Sequence, residues 1–288
     1  MTEAAAITDS IGRTIAMLEK LVAFDTVSRN SNLAFIDFVR SLLKEHGVES
    51  RLVYNEDRTK ANLLATVGPN VAGGIVLSGH TDVVPIDGQH WHTDPFSVVE
   101  KDGRLYGRGT ADMKCFLAIA LAALDKMKSA ALKVPIHLAF SYDEEVGCLG
   151  VPHLISHLKK AGLTPELVVI GEPTEMKLVN GHKGVASFET HFIGLEGHSS
   201  DPDRGINAIH YGMKFIALLE SIADEYKSKA DAASPFHPKH TTLHIGVVKG
   251  GTARNIIPRH ARILREVRPL PGDDVEALLQ PFHNHCAE

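Results

Sequence analysis

The sequence predicts an α/β protein with a mainly parallel, buried sheet, followed by a smaller α+β domain. Short apolar runs at Asn62 to Val67, Ile75 to Ser78, Val134 to Phe140 and Leu167 to Ile170 alternate with helix-like stretches at 113 to 128 and 150 to 161. Runs of that kind belong to strands covered on both faces, and crossover helices supply the cover. Beyond residue 180 the texture changes to alternating segments, Val185 to Ile193, Thr241 to Val248 and Ala261 to Val267, around one long amphipathic stretch from Ile206 to Tyr226. That order suits an antiparallel sheet with a helix laid on it. The expected division is therefore 1–179 and 180–288, with an exposed loop over 228 to 240.

Two helices open the chain. Ile11, Ile15, Leu18 and Leu21 recur at helical spacing behind the cap residues Asp9 and Ser10, and Phe35, Phe38, Val39, Leu42 and Leu43 repeat the pattern up to Gly47.

Composition excludes several classes of function. With 288 residues, 44% of them hydrophobic, the chain can bury a substantial core and is not a disordered tail. A formal charge of −5 and a pI near 6.4 leave no basic stripe for a phosphate backbone, so nucleic acid is not expected as a partner. Cys115, Cys148 and Cys286 are too few and too scattered for a disulfide framework. The opening MTEAAAITDSIGR carries acids where a secretory signal carries Lys or Arg, and no apolar run reaches the ~18 residues of a membrane span. A cytoplasmic protein that does not engage membranes is the expectation. Seventeen histidines raise the question of metal binding, but His46, His137, His153, His157 and His210 stand among helix or strand neighbours and read as structural.

The chemistry gathers at the ends of the expected strands. IVLSGH delivers His80 at a strand end, with Asp82 two residues on; a carboxylate so placed can fix the tautomer of a metal-binding imidazole, although a His that merely ends a strand is as common. GRLYGRGTADMKC sets Asp112 before an apolar helix, where an N-cap is the plain alternative. PIHLAFSYD ends in the adjacent acids Glu144 and Glu145, which repel unless a cation or a shared proton relieves them, a solvated acidic turn being the alternative. LVVIGEP leaves Glu172 after a fourth strand. Four successive strand or turn ends, each supplying His or a carboxylate, point jointly to a metal centre. Mixed nitrogen and oxygen donors suit zinc, and a bridging Asp permits two ions ~3.5 to 4 Å apart. Such a centre activates water and polarises a carbonyl, as amide hydrolysis at neutral pH requires.

The motifs SGHTDVVP, GRGTADMKC, SYDEEVGCLG and VIGEPTEM resemble the metal-binding motifs of the M20 family of metallopeptidases and amidohydrolases, with wording nearest to its acetylornithine deacetylase branch. The resemblance implies a zinc-exopeptidase-like catalytic domain carrying a lid and dimerisation domain. It assigns His80 and Glu172 to one zinc, Asp112 to a bridge, Glu145 to the second zinc, Glu144 to the general base and Asp82 to the orientation of His80. Cobalt is the expected substitute metal. In the smaller domain, GLEGHSSDP makes His198 the residue that crosses a homodimer interface to the substrate carbonyl, and GTARNIIP and EVRPLPG make Asn255 and Arg268 substrate contacts. The substrate implied is a small N-acylated amino acid, N-acetyl-L-ornithine, cleaved to ornithine and acetate in arginine biosynthesis; succinyl-diaminopimelate or an aminoacyl peptide is the alternative.

The chain departs from the family at its end. Members usually continue for roughly another hundred residues, the size of a further domain half, and that part carries the second zinc's histidine. The expectation is a truncated chain whose second site lacks its usual His, weakly active or inactive, with a non-catalytic, dimerising and metal-binding remnant as the competing reading. In ALLQPFHNHCAE, Pro281 is expected to interrupt a helix, and His283, His285 and Cys286 have ligand chemistry without a framework to position them.

Overall fold

The computed structural model describes the chain over residues 3–287 and its side chains over residues 7–281. Two compact units divide it, Met1–Lys177 and Leu178–Glu288.

The first unit runs α1 (Glu3–Val22), α2 (Leu33–Glu45), β1 (Ser50–Tyr54), β2 (Ala61–Val67), β3 (Ile75–His80), β4 (Val99–Lys101), β5 (Arg104–Tyr106), α3 (Lys114–Ala122), α4 (Leu124–Ser129), β6 (Ile136–Ser141), α5 (Val151–Lys160) and β7 (Leu167–Ile170). Five strands form one sheet in the order β1-β2-β6-β3-β7. β3 pairs in parallel with both β6 and β7, whereas β2 is antiparallel to β1 and to β6. Four of the five strands therefore point the same way, and β2 alone runs against them. The β4–β5 hairpin stands apart as a two-stranded ribbon.

Burial follows from the sequence period. Along β2 every residue except Thr66 is buried, so the strand is covered on both faces. Leu63, Ala65 and Val67 join Leu18 and Leu21 of α1, Phe35, Ile36 and Val39 of α2, and Leu117 and Leu121 of α3 in the main core. Leu64 turns the other way, onto Leu154 of α5 with Val76 and Ala139. Phe24 and Phe35 meet edge to face, with ring centroids 5.8 Å apart, a geometry aromatic pairs prefer.

The parallel register positions the site. Ile75 pairs with Ile136 and with Leu167, β3 and β6 end level at His80 and Ser141, and β7 ends at Ile170 opposite Ser78, so the turns after them share one sheet edge. Gly79 and Gly171 allow helix α3 to approach that edge: a Cβ on Gly79 would sit 2.8 Å from Leu117, and one on Gly171 would sit 1.9 Å from the Phe116 ring.

The second unit runs β8 (Ala186–Ile193), β9 (Gly197–His198), α6 (Ala208–Ser228), β10 (Thr242–Gly250), β11 (Ile256–Ile257), β12 (His260–Arg268) and α7 (Val275–Ala287). Antiparallel strands β10-β12-β8 form its sheet, and β9 pairs with β11. Phe215, Leu219 and Ile222 of α6 and Leu278 and Leu279 of α7 pack on Ile263 and Val267. The opposite face carries exposed Ser187, Glu189 and His191, alternating with half-buried Phe188, Thr190 and Phe192 as a one-sided sheet demands. The Asn207 side chain caps α6 by accepting from the amides of Ile209 and His210 at 3.0 and 3.2 Å.

Three local expectations are corrected. Helix α1 begins at Glu3, ahead of Asp9 and Ser10, because the alanine-rich start has high helix propensity and extends it; the two residues lie inside the helix, and Asp9 pairs with Arg13 one turn on. Helix α7 continues through Pro281, since only one backbone hydrogen bond is lost and Leu278 and Leu279 anchor the preceding turn. Strand β1 was not expected, because its half-buried edge position leaves SRLVY without a clean apolar run. His283, His285 and Cys286 lie outside the residues whose side chains are described. His137 is a buried structural residue, paired through Nδ1 with the Thr66 hydroxyl at 2.9 Å and through Nε2 with the Gly73 carbonyl at 3.2 Å.

Candidate metal centre

His80 ends β3 and is 1% exposed. Its Nδ1 donates to the backbone oxygen of Asp82 at 2.9 Å, with the Asp82 carboxylate further off at 3.5 Å. The carbonyl bond leaves Nε2 unprotonated in the neutral ring and free to bind a metal. Around Nε2 stand Asp112 at 3.0 Å, Glu172 at 3.8 Å and Glu144 at 3.9 Å. These acids come from the turn before α3, the turn after β7 and the turn after β6, and only the shared sheet edge brings them together.

Among the described residues, His80, Asp112 and Glu172 form a group whose ligand atoms all lie within 4.8 Å of one another. One nitrogen and two carboxylate oxygens at that spacing are a donor set that suits zinc. Glu145 is outside this triad but close enough to feel its charge. Burial, then the charges of Asp112 and Glu144, hold the Glu145 carboxyl up at about 7 against the opposing influence of His80. Burial also raises Glu172, with Asp112 and Glu144 adding to it and His80 opposing. For His80 burial disfavours the charged ring, but the hydrogen bond and charge of Asp82, with the charges of Glu172 and Glu144, outweigh it and bring the imidazole to about 9. Raised carboxylates around one imidazole are the mark of a cluster that a divalent cation relieves.

Asp82 does more than stand behind His80. Its carboxylate accepts the Ser28 hydroxyl at 2.7 Å and the backbone amides of Glu144 and Glu145 at 3.1 and 3.3 Å. Burial opposes its charge, but the bonds from His80 and Ser28 prevail and hold its carboxyl below the usual range. Ser28 lies 54 residues from Asp82, and no local pattern announces the contact. Lys114 was missed as well: it is fully buried, donates from Nζ to the Phe24 carbonyl at 2.8 Å, and burial lowers its ammonium to about 7 against the pull of Asp25 and Asp82. The Cys148 thiol donates to Glu144 Oε1 at 3.5 Å.

The second unit brings together two of its three expected residues. His198 in β9 pairs in register with Ile256 of β11, and the Asn255 carbonyl accepts the Ser199 amide at 3.1 Å. His198 Nδ1 accepts the Ser200 amide at 3.2 Å, so its neutral ring carries the proton on Nε2 and offers a donor there. Arg268 is elsewhere, at the far end of β12 and roughly 25 Å along the strand from β11 at ~3.3 Å per residue. Its guanidinium makes a two-point contact with Glu266 at 3.1 and 3.3 Å.

Comparison with known proteins decides the lineage. The profile of Peptidase family M20/M25/M40 matches residues 76–256, which holds every residue of the metal cluster.

The chain belongs to the M20 family.

Curated relatives agree. An acetylornithine deacetylase of Pasteurella multocida is 36% identical over 276 residues, covering 92% of this chain and 71% of its own length. One of Myxococcus xanthus is 37% identical over 278 residues, covering 94% and 71%. Among solved structures, an M20 family metallo-carboxypeptidase from Sulfolobus solfataricus superposes with a TM-score of 0.69 at 18% identity, covering 93% of this chain and 74% of that one. A dinuclear metal-binding peptidase of the M20 family from Bacillus subtilis gives a TM-score of 0.57 at 18% identity, covering 96% and 68%. At such identities the solved structures speak to the M20 fold, and the mainly parallel sheet with its α+β companion is that fold. The M20 relatives support a metal-dependent hydrolase.

Proposed function

We propose that this chain hydrolyses the amide bond of N-acetyl-L-ornithine, giving L-ornithine and acetate as a step of arginine biosynthesis. The observation that carries the reading is the triad of ligand atoms from His80, Asp112 and Glu172 within 4.8 Å, with Glu144 beside it. The choice of substrate is supported by the identity to acetylornithine deacetylases over most of the chain.

His80, Asp112 and Glu172 would hold one zinc, and Glu145 with Asp112 would hold a second. Bound there, zinc would supply Lewis acidity for amide hydrolysis. Glu144, 36% exposed and 3.9 Å from His80 Nε2, takes the proton of the attacking water and returns it to the leaving amine. His198 of a second copy donates from Nε2 to the developing oxyanion, with the small domain as the dimer contact and Asn255 and Arg268 binding substrate. The unpaired thiols of Cys115 and Cys148 support a reducing, cytoplasmic setting.

The test is ornithine release by the purified 288-residue chain in zinc, set against N-succinyl-diaminopimelate and a dipeptide. N-acetyl-L-ornithine is the preferred substrate, and Glu144→Gln lowers kcat by about 10² to 10⁴. Release no faster than that of the Glu144→Gln variant sinks the reading; preference for the succinyl compound redirects it.

A further inference from the structure

Lys60 stands immediately before β2, far from the acid turn in sequence, yet its ammonium reaches into the back of the site. Nζ donates to the Ser28 carbonyl and to Asp143 Oδ1, the latter at 2.5 Å. Both side chains of the ion pair are nearly enclosed, Lys60 at 13% and Asp143 at 11% exposure. The contacts close a ring. Lys60 holds Ser28, the Ser28 hydroxyl donates to Asp82, Asp82 accepts the amide of Glu144, and Glu144 follows Asp143, which returns to Lys60.

Energetics argue for a use beyond stability. Enclosing a charge pair forfeits hydration that the attraction scarcely repays, so such a pair adds little to folding by itself. Asp143 also has φ +55°, a left-handed conformation that strains a non-glycine residue and persists where the surroundings impose it. That twist turns the chain so that the next two amides both meet Asp82. The ion pair holds the residue that makes the twist.

We propose that Lys60 is a positioning residue for Glu144 and Glu145, fixing the acid turn through Asp143 and the Ser28–Asp82 contact. The inference rests on the reading above of Glu144 as base and Glu145 as ligand. A lysine spent only on stability would leave turnover per folded molecule unchanged.

The test uses the full chain with Lys60→Met, Lys60→Arg and Asp143→Asn. Hydrogen exchange by mass spectrometry follows peptides over 142–149, and kcat and KM for N-acetyl-L-ornithine are measured in zinc. Lys60→Met speeds exchange of the Glu144 and Glu145 amides by ~10-fold while β3 is unchanged. It lowers kcat by ~10-fold, as loss of a ligand's supporting contact does, with KM within about threefold. Lys60→Arg recovers most of both. Wild-type exchange in the turn, an unchanged kcat, or a kcat loss that arginine does not rescue overturns the proposal. If Lys60→Met does not fold, Asp143→Asn, which keeps the side-chain shape, carries the same expectations. If the wild-type chain fails to release ornithine, the substrate reading falls and the exchange measurement still decides for or against the brace.

Discussion

His80 Nδ1 is 2.9 Å from the backbone oxygen of Asp82 and 3.5 Å from its carboxylate. The backbone thus orients the ring, while the carboxylate is taken up by Ser28 and the amides of Glu144 and Glu145. Asp82→Asn keeps the carbonyl but puts an NH2 where one donor now binds. Zinc affinity falls by about 10-fold for Asp82→Asn and toward about 100-fold for Asp82→Ala, which removes every side-chain acceptor. Calorimetric titration with zinc checks both, and affinities within a factor of about two of wild type contradict the assignment.

Cys148 gives a pH-dependent reporter of Glu144. Burial raises the thiol, and the charge and hydrogen bond of Glu144 raise it further. Iodoacetamide reacts with the thiolate, so Glu144→Gln, by removing the negative neighbour, lowers the thiol pKa and makes alkylation severalfold faster at pH 8. The difference vanishes at pH values above both thiol pKa values. Peptide mapping separates Cys148 from Cys115, and equal rates in the two proteins at pH 8 deny the contact.

Phe35 is fully buried against Phe24 and the face of β2. Phe35→Ala removes a ring from a close-packed layer and destabilises the first unit by about 3 to 5 kcal/mol, read from urea unfolding. A loss below about 1 kcal/mol would mean that the neighbours collapse into the space.

Glu266 competes for Arg268. If the guanidinium receives the substrate's α-carboxylate, Glu266→Gln frees it and lowers KM severalfold, whereas Arg268→Lys loses the two-point fork and raises KM by ~10-fold. Steady-state kinetics on N-acetyl-L-ornithine distinguish this from a structural arginine, for which neither change moves KM.

Local chemistry explains why much of the site was legible. His80, Asp112, Glu144, Glu145 and Glu172 each stand at an expected strand end or turn that a few neighbouring residues announce, and strands β2, β3, β6 and β7 are announced by their apolar runs. Arg268 was legible as a residue type, and Glu266 is its neighbour on the same face of β12, but its distance from His198 was not legible, because strand pairing sets it.

The sequence alone determined the alternation of strands and helices, the identity of the acids and the imidazole, and the family they indicate, since these depend on spacing and residue chemistry within short windows. Tertiary structure decided which nitrogen of His80 faces the acids, that its orienting partner is a carbonyl, and that Ser28 and Lys60 stand behind the site. The last two placements rest on contacts spanning 54 and 83 residues. Such contacts exist only once the antiparallel pairing of β2 with β6 has brought Lys60 beside Asp143 and the bridge between Val27 and Val83 has set Ser28 against Asp82.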